Sequence, residues 1–75
     1  MEPKLLFAKY FPNYKMHCAF KRTDESWLCS AECLAPNGDV LAEAAGRLCA
    51  TKRETECWAI VKLLAQLDVG IFDRQ

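Results

Sequence analysis

Thr51-Lys52-Arg53-Glu54-Thr55-Glu56-Cys57-Trp58-Ala59-Ile60-Val61-Lys62-Leu63-Leu64 reads as the opening of an amphipathic helix. Thr51-x-x-Glu54 is a capping box: the hydroxyl serves an early backbone N–H, and the glutamate reaches back to the cap. At 100° per residue, Cys57, Ile60, Val61, Leu63, Leu64 and Leu67 share one broad arc. Thr55, Lys62 and Gln66 fall on the opposite stripe. A helix with one such arc packs against a sheet face. It is predicted to end near Leu67–Asp68, with Gly70 just past the end. Val69 to Gln75 then forms a tail whose Ile71 and Phe72 are available to pack back.

The segments before this helix supply the sheet. In Tyr14 to Arg22 the residues alternate, with Tyr14, Met16, Cys18 and Phe20 on one face and Lys15, His17 and Lys21 on the other. That is the pattern of a half-buried strand. Thr23-Asp24-Glu25-Ser26 is a polar turn. Trp27 to Leu34 is a second strand, with Trp27, Cys29, Ala31 and Cys33 inward and Ser30 and Glu32 outward. Pro36-Asn37-Gly38-Asp39 is a strong turn signal, because Asn-Gly tolerates positive φ at both central positions. Val40 to about Arg47 is the third strand. Its Ala-Glu-Ala-Ala content makes helix the competing reading, and Gly46 favours a break. At the other end, Pro3 to Phe11 reads as a short helix. Proline suits its first position, Leu6, Phe7, Tyr10 and Phe11 recur at helical spacing, and Pro12 stops it. The predicted order is α-β-β-β-α, an α+β fold. A three-stranded antiparallel sheet carries two helices on one face.

Composition narrows the function classes. The 75 residues make a single domain, 52% hydrophobic and 27% charged. Disorder and low complexity are excluded on that ground. Ten Lys and Arg balance ten Asp and Glu, so the net charge is zero. Any basic site must therefore be local. The longest near-apolar run, Cys57 to Leu67, contains Lys62 and Gln66 and falls short of the ~20 residues that span a bilayer. No membrane partner is expected. The chain is expected to be one domain of a larger protein.

The five cysteines, Cys18, Cys29, Cys33, Cys49 and Cys57, are an odd number, which argues against a closed disulfide framework. Reduced, buried thiols in an intracellular compartment are expected, nucleus or cytoplasm, or the mitochondrion if a targeting segment lies upstream. Metal is not: there is no C-x-x-C pair, and Cys29-x-x-x-Cys33 lies in an extended stretch. His17 and Cys18 are adjacent on a strand, so they point to opposite faces and make a poor catalytic pair. With no paired carboxylates in an evident cleft and no phosphate-binding glycine loop, no catalytic residue and no cofactor is assigned.

The element order and three motifs resemble the double-stranded RNA-binding domain. Pro12-Asn13-Tyr14 matches that family's Pro-x-Tyr at the start of strand one. Trp27-Leu28-Cys29 matches its aromatic-x-Cys/Val at the start of strand two. Thr51 to Leu64 lies without a gap on its Ser-Lys-Lys-x-Ala-Lys-x-x-Ala-Ala-x-x-Ala-Leu. The match covers nearly the whole chain. The short first helix and clipped first hairpin look most like the amino-terminal copies in DExH-box helicases of the RNA helicase A type.

The resemblance implies recognition of A-form shape: 2′-hydroxyls in two minor grooves and phosphates across the intervening major groove. Three surfaces follow from it. The start of the second helix, Thr51, Lys52 and Arg53, faces phosphate, although the third cation of the family pattern is Glu56 here. The loop between strands one and two offers Lys21 and Arg22. It lacks the family's Gly-Pro-x-His and carries Asp24 and Glu25 at its tip. The first helix offers Lys4 and Lys9 to a minor groove. With few well-placed cations, the copy is expected to bind duplex RNA weakly alone, as part of an RNA helicase or RNA-processing protein. The alternative is a domain of this fold that docks protein or the other domains of its parent chain. Trp58, one turn before Lys62, is its anchor if the indole is exposed rather than covered by the tail.

Overall fold

The computed structural model describes residues 2–72, with side chains through Leu67. Its elements are α1 (Pro3–Tyr10), β1 (Lys15–Thr23), β2 (Ser26–Leu34), β3 (Val40–Ala45) and α2 (Lys52–Phe72). The order is α-β-β-β-α, an α+β fold with one antiparallel sheet in the order β1-β2-β3. Among the described residues, no helix is long and apolar enough to cross a membrane.

Strand alternation builds the core. Cys29, Ala31 and Cys33 of β2 are fully buried on one sheet face, beneath Ala59, Ile60, Leu63 and Leu64 of α2. Opposite them on β1, Phe20 pairs with Cys29, Cys18 with Ala31 and Met16 with Cys33. Phe7 of α1 joins the same core, and its ring lies 5.6 Å from that of Phe11. Burial of this one continuous cluster is the main stabilising term.

The turns use different devices. A two-residue turn, Asp24-Glu25, joins Thr23 to its partner Ser26, with Asp24 at φ 55°. Aspartate tolerates this left-handed conformation better than most residues. Between β2 and β3 the turn is Ala35–Gly38, closed by the Gly38 N–H donating to the Ala35 carbonyl at 2.8 Å. There Gly38 alone takes positive φ, at 94°, so the Asn-Gly pair does not occupy the two central positions. Asn37 instead accepts from the Asp39 N–H at 3.0 Å through its side chain, a local turn bond typical of the residue.

Four further expectations need correction. Val40–Ala45 is a strand, as read, but it ends at Ala45 rather than Arg47. The chain then runs beside the start of β2, where Gly46 donates to the Cys29 carbonyl and Cys49 bridges Trp27. α2 continues through Gly70 to Phe72 instead of stopping near Leu67. Glycine costs a helix only about 1 kcal/mol, too little to end it. Packing of Ile71 and Phe72 lies outside the described side chains. The buried arc of α2 is rotated toward Thr55 and Ala59. Thr55 is fully buried, while Cys57 and Val61 are exposed. Finally, only Cys29 and Cys33 are fully buried; Cys18 and Cys49 are half-buried.

Candidate nucleic-acid interface

The start of α2 is built by Thr51. Its hydroxyl oxygen accepts from the Glu54 N–H at 3.2 Å and donates to the Glu54 carboxylate at 3.0 Å. The capping box thus closes through the hydroxyl. The first N–H groups of a helix have no acceptor within it, and they lie at the positive end of its dipole.

Lys52 leaves this first turn toward the sheet. Its ammonium stands 4.6 Å from the centre of the Trp27 ring and 5.5 Å from that of Phe20. The Arg22 guanidinium lies 5.5 Å from the same indole. Arg22 pairs with Trp27 across the hairpin, and its Nε also donates to the Asp24 carbonyl at 3.2 Å. Two cations from distant segments are therefore held around one tryptophan. Cation–π attraction at exposed sites is worth about 0.5–1 kcal/mol, enough to bias long side chains toward one geometry.

The other sequence-predicted cations stand apart or are paired with acids. Arg53 donates to the Glu2 carboxylate at 3.0 Å, with both side chains well exposed. Lys4 contacts the Glu56 carboxylate at 2.9 Å. That hydrogen bond raises the Lys4 ammonium above the ordinary lysine value. These two pairs tie α1 to the first turns of α2. Lys9 is exposed beside Tyr10, 5.6 Å from its ring centre. Lys21 is exposed on β1, one residue from Arg22 and so on the opposite sheet face. Trp58 and Lys62 are exposed on the outward side of α2, and the Arg47 guanidinium lies 4.9 Å above the Trp58 ring.

Sequence reading missed the Trp27 assembly. Half of it was countable: a two-residue turn at Asp24-Glu25 forces Arg22 opposite Trp27. The approach of Lys52 depends on the bridge between Trp27 and Cys49, which no local signal announces.

The outer sheet face holds a separate set. His17 Nδ1 lies 3.3 Å from Glu32, its cross-strand partner, and Glu43 follows on β3. Among the described residues, no group of three or more His, Cys, Asp or Glu side chains has the geometry to hold a metal. Burial pushes the Cys29 thiol up to about 12 and raises those of Cys18 and Cys33. These three are therefore poor nucleophiles at neutral pH, because the thiolate is the reactive form.

In comparisons with known proteins, no family model, no curated protein and no solved structure matches this chain.

Proposed function

We propose that this chain is a double-stranded RNA-binding module that contacts phosphate with the start of α2 and binds weakly alone, as part of a larger RNA helicase or RNA-processing protein. The observation that carries the reading is the Lys52 ammonium held by Trp27 and Phe20, beside Arg22 and at the N-terminus of α2. A cation already ordered loses less entropy when it meets phosphate. Unpaired helix N–H groups add donors at the same place. The A-form major groove is too narrow for side chains to read bases, so a phosphate clamp of this kind recognises shape rather than sequence.

The acid pairs fit the weak affinity. Exposed ion pairs are worth about 0–1 kcal/mol, so a phosphate can displace Glu2 from Arg53 or Glu56 from Lys4. Each displacement costs affinity, and each carboxylate left nearby repels the backbone.

A titration with a roughly 20-base-pair RNA duplex, comparable to the ~16 base pairs that such domains span, tests the reading. Wild type and the double variant Lys52→Ala/Arg53→Ala are compared at two salt concentrations. Expected is weak binding that falls as salt rises, since phosphate contacts release counterions, and that is lost in the variant. Absence of binding at low salt, from a chain with a folded far-UV spectrum, overturns the reading.

A further inference from the structure

α2 has a second apolar face that the sheet does not use. Trp58 is 43% and Val61 47% exposed, and with Cys57 and Glu54 they line a shallow depression on the outside of the helix. Ala65, one turn further on, is exposed as well. Glu54, Trp58, Val61 and Ala65 recur at i, i+4, i+7 and i+11, the spacing of a helix–helix seam.

The charges on this face have an order. Glu54, Trp58 and Lys62 stand at i, i+4 and i+8, in one row with the tryptophan midway, and all three are exposed; outside the row, the Arg47 guanidinium lies 4.9 Å from the Trp58 ring centre. We propose that this face pairs with the same face of a second copy of the chain, the two α2 helices antiparallel and Trp58 near the two-fold axis. A two-fold contact sets residue i against j and j against i. With the axis at Trp58, each Glu54 meets Lys62 of the second copy, giving two opposite-charge pairs about 12 Å apart along the helix. A parallel pairing sets glutamate against glutamate and lysine against lysine, so charge selects the antiparallel arrangement. The zero net charge removes the overall repulsion that keeps charged domains apart.

The seam is only a few turns long. Its footprint is at the low end for specific interfaces, so the dimer is weak. The arrangement does not rest on the RNA reading. Lys52 reaches Trp27 on the sheet and takes no part in the row.

Sedimentation equilibrium of the chain without nucleic acid tests it. Expected is a mass that rises with concentration from the 8.5 kDa monomer toward twice that value. Trp58→Ala is expected to stay monomeric over the same range. Lys62→Glu, which sets acid against acid, is expected to weaken association at least tenfold. Adding Glu54→Lys to Lys62→Glu is expected to restore it to within a few-fold. If the double variant loses its folded spectrum along with the cap, Glu54→Gln replaces it. Glutamine preserves the capping box, and association is then expected to weaken without unfolding. A wild-type mass that stays monomeric to millimolar concentration, or a dimer indifferent to Trp58→Ala and Lys62→Glu, overturns the proposal.

Discussion

Thr55 lies in the first turns of α2 with its side chain fully buried, and its hydroxyl accepts the Cys29 N–H of β2 at 2.9 Å. Cys29 also gives its carbonyl to the Gly46 N–H at 2.7 Å. The N–H of one central-strand residue is thus satisfied by the helix and its carbonyl by the segment after β3, which lies against that helix. Counting at 100° per residue puts Thr55 with the polar stripe, and a hydroxyl carries no mark that tells a buried acceptor from a solvated one. The bond defines what the residue is for. Thr55→Val keeps the shape but leaves the Cys29 N–H buried without an acceptor. That costs about 1–3 kcal/mol, measurable as a lower midpoint in denaturant with an unchanged slope. Thr55→Ser, which keeps the hydroxyl, is expected to lose less. Equal stability of Thr55→Val and wild type contradicts this role.

Helix α2 and strand β3 show what was legible and what was not. The capping box at Thr51 and Glu54 marked the helix start, because that signal is local and carried by two side chains. The presence of a turn between β2 and β3, though not its central residues, and the alternation in β2 were equally readable. Val40–Ala45 was ambiguous: alanine and glutamate favour helix, yet the segment pairs with β2 from Ser30 to Leu34. Strand preference is largely a matter of fit to neighbours, and here tertiary pairing overrides propensity. The rotation of the α2 arc has a similar origin. Gly46 approaches the helix so closely that a Cβ there would run into the Thr55 carbonyl oxygen and come within 2.8 Å of its hydroxyl. Only a residue without a side chain admits this approach, and the approach draws Thr55 and Ala59 into the interface. Gly46→Ala must therefore push α2 away from β2 and β3. The expected loss is about 1–3 kcal/mol, seen as a fall in melting temperature of several degrees for a domain of this size. Gly38, with open space around its Cβ position, meets no such clash. A Gly46→Ala chain as stable as wild type shows that the helix shifts freely.

Charge across the molecule is balanced not only in number but in space. Lys4 with Glu56 and Arg53 with Glu2 join residues roughly fifty positions apart, which is why the sequence showed a candidate cationic site and not its neutralisation. Lys52 and Arg22 escape it, being ordered by aromatic rings rather than by carboxylates. If the α1–α2 side lies along a phosphate path, Glu2 and Glu56 hold down RNA affinity twice over, by occupying cations and by repelling the backbone. Glu2→Gln/Glu56→Gln removes both effects while keeping side-chain volume. Little stability is lost, because exposed pairs are worth about 0–1 kcal/mol. Duplex RNA affinity is expected to rise several-fold. The dependence of log affinity on log salt is expected to steepen by roughly one for each cation newly on phosphate, using the duplex DNA coefficient as the scale. Fluorescence anisotropy with a labelled duplex across a salt series reads both quantities. A steeper slope with tighter binding assigns Lys4 and Arg53 to the backbone contact. Unchanged affinity and slope mean that the duplex meets only the Lys52 and Arg22 side of the domain, and that the acid pairs serve to hold α1 against α2.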